Sequence, residues 1–167
     1  MITMLVISIL LVALYVGAAT WIKKELPDSI SAMVYVLPEG GWSWLWTVWL
    51  MVVAILTFAP AVQLMDAHSL GILGFVPMVL LTLVAAWPLL DKEHLSRHYS
   101  LAIAAGVLSQ VCVCVLCPWW LITWVAFVVM VIDSLLFPDT KHAYDHKACF
   151  IAEAICYISL VGATFTA

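Results

Sequence analysis

Residues able to do chemistry are few in this chain, and they recur in one pattern. The stretch "KHAYDHKACFIAEAICY", residues 141–157, sets His142 and His146 four apart and then places Glu153 and Tyr157 in an apolar run. At ~100° per residue the two histidines and Glu153 fall within about 40° of one another on a helix, and Tyr157 extends the line. Glu153 lies about 10 Å beyond His146 along the axis, so the stripe is a track or two sites rather than one ligand set. The stretch "LLDKEHLSRHYS" repeats the spacing with His94 and His98. Imidazoles one turn apart can grip a zinc ion, which makes His142, His146, His98 and His94 the candidate metal ligands and zinc the candidate cofactor. The glutamate of the zincin motif is absent. The alternative reading is of histidines that hydrogen-bond at helix ends near a membrane interface.

Ionisable and amide side chains inside apolar segments add to this set. Asp133, Glu153 and Gln110, with Ser109 beside it, all sit within runs long enough to span a bilayer. Burying a charge there costs ~2.5 kcal/mol or more, so each needs a partner and is a functional candidate. The stretch "KKELPDSISAMVYVLPEGG" contributes Ser29, Ser31 and Tyr35, the last two sharing one face of a short helix capped by Asp28 or Ser29 and stopped at Pro38. "CVLC", at Cys114 and Cys117, has the spacing of a redox pair, but cysteine as a small apolar side chain is the better reading.

The elements that must position these residues are membrane helices. Of 167 residues, 66% are hydrophobic and 10% charged, and the mean hydropathy is +1.17. A soluble domain of this length could not hide that much apolar surface. Runs long enough to cross a bilayer fall at about 1–22, 42–65, 70–90, 100–117, 119–137 and 148–166. One helix from Leu101 to Phe137 would be roughly 55 Å long, far more than a ~30 Å hydrocarbon core, and Cys117-Pro118 divides it. The expected fold is all-α: a single integral membrane domain over 1–167, a bundle of six transmembrane helices plus a short interfacial or re-entrant helix after the first.

All six basic residues (Lys23, Lys24, Lys92, Arg97, Lys141, Lys147) follow spans one, three and five. The positive-inside rule then puts those loops in the cytoplasm and both termini outside, in a bacterial inner membrane. The first segment lacks a basic amino end and reads as an uncleaved span. Tryptophans at expected span ends, among them Trp21, Trp42, Trp44, Trp87, Trp119 and Trp120, fit an aromatic belt, and Pro60, Pro77 and Pro88 are expected to kink or end their helices. A net charge of −4 with no basic patch excludes nucleic acid as a partner.

The run "PDSISAMVYVLPEGGWSWLWTVWLM", with "RHYSLAIAAG" and "FIAEAICYISL", resembles a group of small polytopic membrane proteins common in gut Bacteroidota. The resemblance implies that Ser29, Ser31, Tyr35, His98 and Glu153 share the inner face. "HAYDH" is similar to the H-A-x-x-H of the CREST-type membrane hydrolases, which include alkaline ceramidases. That resemblance implies a zinc held by three histidines, with Asp133 and Ser29 or Ser31 standing for the family's acid and serine. The family has seven spans where this chain has six.

Three functions are compatible with these residues. The first is a polar, cytoplasm-facing intramembrane pocket that binds or conducts a small ligand or proton, in a transporter, sensor or accessory subunit. Glu153, Asp133, Gln110 and His98 would line it. The second is a zinc-dependent hydrolase of lipid amides or esters, with His142, His146 and His98 on the metal and Asp133 or Glu153 as acid/base. The third is a non-catalytic immunity or interaction protein in which the polar residues only pack helices. The bilayer itself is a partner in every case. Glu153 is expected to point into the bundle toward His98, Tyr35 or Ser31.

Overall fold

The computed structural model describes residues 1–31, 43–90, 95–136 and 147–167. These residues form six α-helices and no strand: α1 (Ile2–Lys23), α2 (Ser43–Asp66), α3 (Gly71–Leu90), α4 (Leu95–Leu116), α5 (Trp124–Leu136) and α6 (Ala148–Thr166). A 3₁₀ helix, Pro118–Thr123, runs directly into α5. Six segments are long and apolar enough to cross a membrane, as the hydrophobic runs require of a multi-pass membrane protein.

Two segments differ from their hydrophobic runs. The fourth helix begins at Leu95, five residues before the apolar run, so Arg97 and His98 lie in its first turn, as a helix that continues from the loop into the span requires. Hydropathy registers only where lipid begins, whereas a helix can extend past it into the interface. The fifth span is not one α-helix. Cys117 is extended, Pro118 sets the first turn, and six 3₁₀ residues precede the 13 of α5. At ~2.0 Å rise for the 3₁₀ part and ~1.5 Å for the rest, the segment still reaches about 31 Å, enough for the hydrocarbon core.

The sharp turn from α2 to α3 shows why small residues are needed here. Ser69 takes a left-handed conformation (φ 60°), and the turn closes through Leu70 N donating to Met65 O at 3.0 Å. A β-carbon at Gly71 would come within 2.9 Å of Asp66 Oδ1, and one at Gly74 within 3.0 Å of Val62 Cγ2. Glycine at both positions lets α3 close onto α2, as small residues do in membrane bundles.

Interior prolines leave carbonyls without their in-helix donor, and other helices supply replacements. Pro77 removes the donor for Leu73 O, and the Cys112 thiol of α4 donates to that oxygen at 3.3 Å. Pro88 does the same to Val84 O, and the buried imidazole of His98 lies against the Val84 backbone. Thr47 Oγ1 of α2 donates to Ala85 O at 2.9 Å. All three prolines therefore sit inside their helices rather than ending them.

Two apolar clusters hold the bundle. Trp46, Leu50, Ala19, Val84 and Ala85 join α1, α2 and α3 toward one end. Phe58, Met65, Cys112, Val113 and Leu160 join α2, α4 and α6 toward the other. By contrast α5 buries none of its residues and touches the bundle lightly, through α6, the 3₁₀ helix and the bond from Trp124 to Gln110 of α4. The tryptophans divide between belt and interior. Trp21, Trp44 and Trp119 are exposed at helix ends, whereas Trp46 is buried and Trp49 donates to Leu11 O at 3.2 Å. Trp42 lies outside the described residues.

Candidate functional site

The residues after α1 build a cradle for Glu153. Lys24 ends the helix in a left-handed conformation (φ 62°), and Pro27 follows, so the chain turns back toward the start of α6. There Asp28 O accepts from Phe150 N at 3.0 Å, satisfying one of the orphan amides in the first turn of α6. Asp28 also forms an ion pair with Lys147. In return Glu153 serves the loop. Its carboxylate accepts from Ile30 N at 2.5 Å, from Ser31 N at 3.3 Å, from Ser29 Oγ at 3.1 Å and from Ser31 Oγ. Successive backbone N–H groups flanked by two hydroxyls make an anion-binding nest, and the anion is a side chain of α6. Loop and helix thus cap each other.

Two further polar knots tie the helices deeper in the bundle. Ser8 Oγ of α1 is 2.7 Å from Thr57 Oγ1 of α2 and 2.8 Å from Tyr157 OH of α6. The Gln110 amide oxygen accepts from Trp124 Nε1 at 2.9 Å and from Ser159 Oγ at 3.0 Å, while its nitrogen donates to Ser109 Oγ at 3.0 Å. Gln110 thereby joins α4, α5 and α6. Such bonds across helices act as glue in a medium without water.

Between these knots lies a cavity of about 510 Å³, bounded by α1, α2, α3, α4, α6, the first residue of α5 and the Ile30–Ser31 turn. Its walls are mostly aliphatic and aromatic, such as Val53, Phe58 and Leu160. Polar groups gather at two levels: Ser31, Tyr99, Cys149 and Glu153 near the starts of α4 and α6, and Gln110 with Ser109 about two to three turns further along α4. Ile103 and Val107 line the cavity while remaining 66% and 60% exposed, so it reaches the outer surface of the bundle midway along α4.

The sequence-derived candidates separate on this frame. Glu153, Ser31, Gln110 and Tyr157 line the cavity. Ser29 is buried behind it and reaches Glu153. His98 is fully buried, with its ring near Trp46 and Tyr99 and against the backbone of Ser31 and Val84. The hydrogen bonds to Glu153 come from Ser29, Ile30 and Ser31, so Ser31, not His98, is its partner. Asp133 is partly buried on α5 away from the cavity lining. Tyr35, His94, His142 and His146 lie outside the described residues. Among the described residues no three His, Cys, Asp or Glu side chains gather into a set that could hold a metal. Cys114 and Cys117 carry free thiols.

Ser8, Thr57, Tyr99, Cys149 and Trp124 were not singled out by the sequence reading, yet each bonds a site residue or lines the cavity. Their only signal is a polar atom in an apolar helix. That signal is weak, because serine and threonine can satisfy themselves on the preceding turn, as Thr164 does with Leu160 O. Comparison with family models, curated proteins and solved structures yields no match.

Proposed function

We propose that this integral membrane protein binds a small amphipathic ligand, entering from the lipid, in the cavity between α4 and α6. The observation that carries the reading is the cavity itself: about 510 Å³, mostly apolar along its walls, polar at the Glu153 end and again at Gln110, and open at Ile103 and Val107. Ligand sites are concave and mostly apolar with a few placed polar groups, within roughly 300–1,000 Å³. An opening midway along a spanning helix faces acyl chains rather than water, which favours a ligand already dissolved in the bilayer.

Glu153 acts here as a fixed electrostatic feature of the wall. A residue that carries protons must gain and lose its partners, whereas Glu153 is held by donors from a loop it also anchors. The reading therefore favours a receptor, transporter or accessory subunit over a proton path. The segregation of lysine and arginine supports a cytoplasmic position for the Glu153 end and extracytoplasmic termini.

The test is retention of a dodecyl-chain ligand by purified protein in native mass spectrometry. Stoichiometric binding is expected in the unaltered chain and loss of it in Ala152→Phe, which fills the cavity, and in Val107→Trp, which covers its mouth. Equal retention by all three folded proteins would contradict the reading.

A further inference from the structure

Among the described residues that line the cavity, Glu153 bears the one formal charge. Its surroundings are unusual for a carboxylate in a membrane. Four donors reach it (Ser29 Oγ, Ile30 N, Ser31 N and Ser31 Oγ), and all four are neutral. The basic residue nearest along α6, Lys147, is about 9 Å away along the axis and forms an ion pair with Asp28. Hydrogen bonds replace the lost water of a carboxylate, but they do not cancel its charge, and a buried charge calls for a counter-ion.

The geometry also limits what that counter-ion can be. An ionised carboxylate offers about four acceptor sites, and four donors already occupy them. A primary ammonium or a guanidinium would bring N–H groups that need acceptors and would compete with the loop for the same oxygens. A quaternary ammonium brings charge and no donor. It is bulky, weakly hydrated and suited to aromatic faces, and Tyr99 lines the same end of the cavity. Beyond that end the walls are mostly apolar toward Phe58 and Leu160, and the polar atoms of Thr57, Tyr157 and Gln110 there are bonded to neighbouring side chains.

We propose that the cavity selects lipophilic quaternary ammonium compounds, with the trimethylammonium group beside Glu153 and Tyr99 and the apolar body along α4 and α6. The proposal rests on the amphiphile-binding reading and adds the chemistry of the head group. It is tested with intact protein in uncharged maltoside micelles and four probes sharing a dodecyl chain, at concentrations below their own micellisation: dodecyltrimethylammonium, dodecylamine, dodecanol and dodecanoate. The trimethylammonium probe is expected to bind about tenfold tighter than dodecylamine or dodecanol, with dodecanoate weakest. In Glu153→Gln its advantage over dodecanol should fall to about twofold or less. Equal binding of all four probes would overturn the charge selection and leave the amphiphile reading standing. Tighter binding of dodecylamine would overturn the quaternary assignment. A trimethylammonium preference that survives in folded Glu153→Gln would overturn the role of Glu153. Binding of none would overturn both readings. Should Glu153→Gln not fold, the ranking of the four probes on the unaltered protein decides the matter.

Discussion

A carboxylate inside a bilayer loses its water, and at Glu153 four neutral donors from the 29–31 turn replace that water. Replacing it with leucine would leave the amides of Ile30 and Ser31 unpaired, and each buried orphan donor costs about 1–3 kcal/mol. Glu153→Leu should therefore lower the thermal unfolding temperature in detergent and speed hydrogen exchange at Ile30 and Ser31. Glu153→Gln keeps one accepting oxygen and should fall between the two. An unchanged exchange rate at those amides in Glu153→Leu would show that the clasp is not what orders the loop. Much of this was readable beforehand. The polar stripe of Glu153 and Tyr157 on an apolar helix announces an inward face, and Ser31 is one of three partners the sequence offers, beside His98 and Tyr35. What could not be read is that half of the donors come from backbone, because only the fold of the 27–31 turn aims two consecutive N–H groups at one point. His98 is different: its type suggested a ligand, and what the described residues show is a buried ring against the backbone of Ser31 and of Val84, the carbonyl freed by Pro88.

Prolines and glycines set how the helices meet. Because Pro77 cannot donate to Leu73 O, the Cys112 thiol takes over that oxygen. Restoring the in-helix donor with Pro77→Ala should make Cys112→Val less costly than it is in the unaltered chain. A double-mutant cycle by thermal unfolding checks this, and additive effects would argue against the compensation. The 3₁₀ helix depends on a second close approach. A β-carbon at Gly162 would stand 2.5 Å from the Trp120 ring, and the Trp120 indole also donates to Thr166 Oγ1 at 3.0 Å. Gly162→Ala should push that ring off α6 and cost about 1–3 kcal/mol, as overpacking does. A stability equal to the unaltered protein would mean that the 3₁₀ segment yields freely. Hydropathy located this span but not its form. The 3₁₀ segment begins at Pro118 and seats the Trp120 ring against α6, neither of which a sliding average records.

On the scale of the whole molecule, six apolar helices make a multi-pass membrane protein, and the placement of lysine and arginine carries the proposed orientation. Cysteines introduced at Lys24 and Lys147 should be labelled by membrane-impermeant reagents only after the cytoplasmic side is opened. Those beside Ser69 and at Ala167 should be labelled in intact cells. The reverse pattern would invert the orientation. Within this frame the bundle is unevenly filled: α2 and α3 close tightly at Gly71 and Gly74 and α4 packs on α3, whereas α5 buries nothing and leaves the flank of α4 open. That imbalance was not legible in the sequence, since all six segments carry comparable apolar content. It creates the cavity on which the functional reading rests. The most direct measurement is therefore a map of contacts from an alkyl probe carrying a photoactivatable diazirine, incorporated into membranes containing the protein. Peptide sequencing should find label concentrated on Ile103, Val107, Ala152 and Cys156, displaced by excess unlabelled probe. Label spread over the outward residues Leu14, Ile72 and Val129, with none displaceable on α4 or α6, would contradict the account.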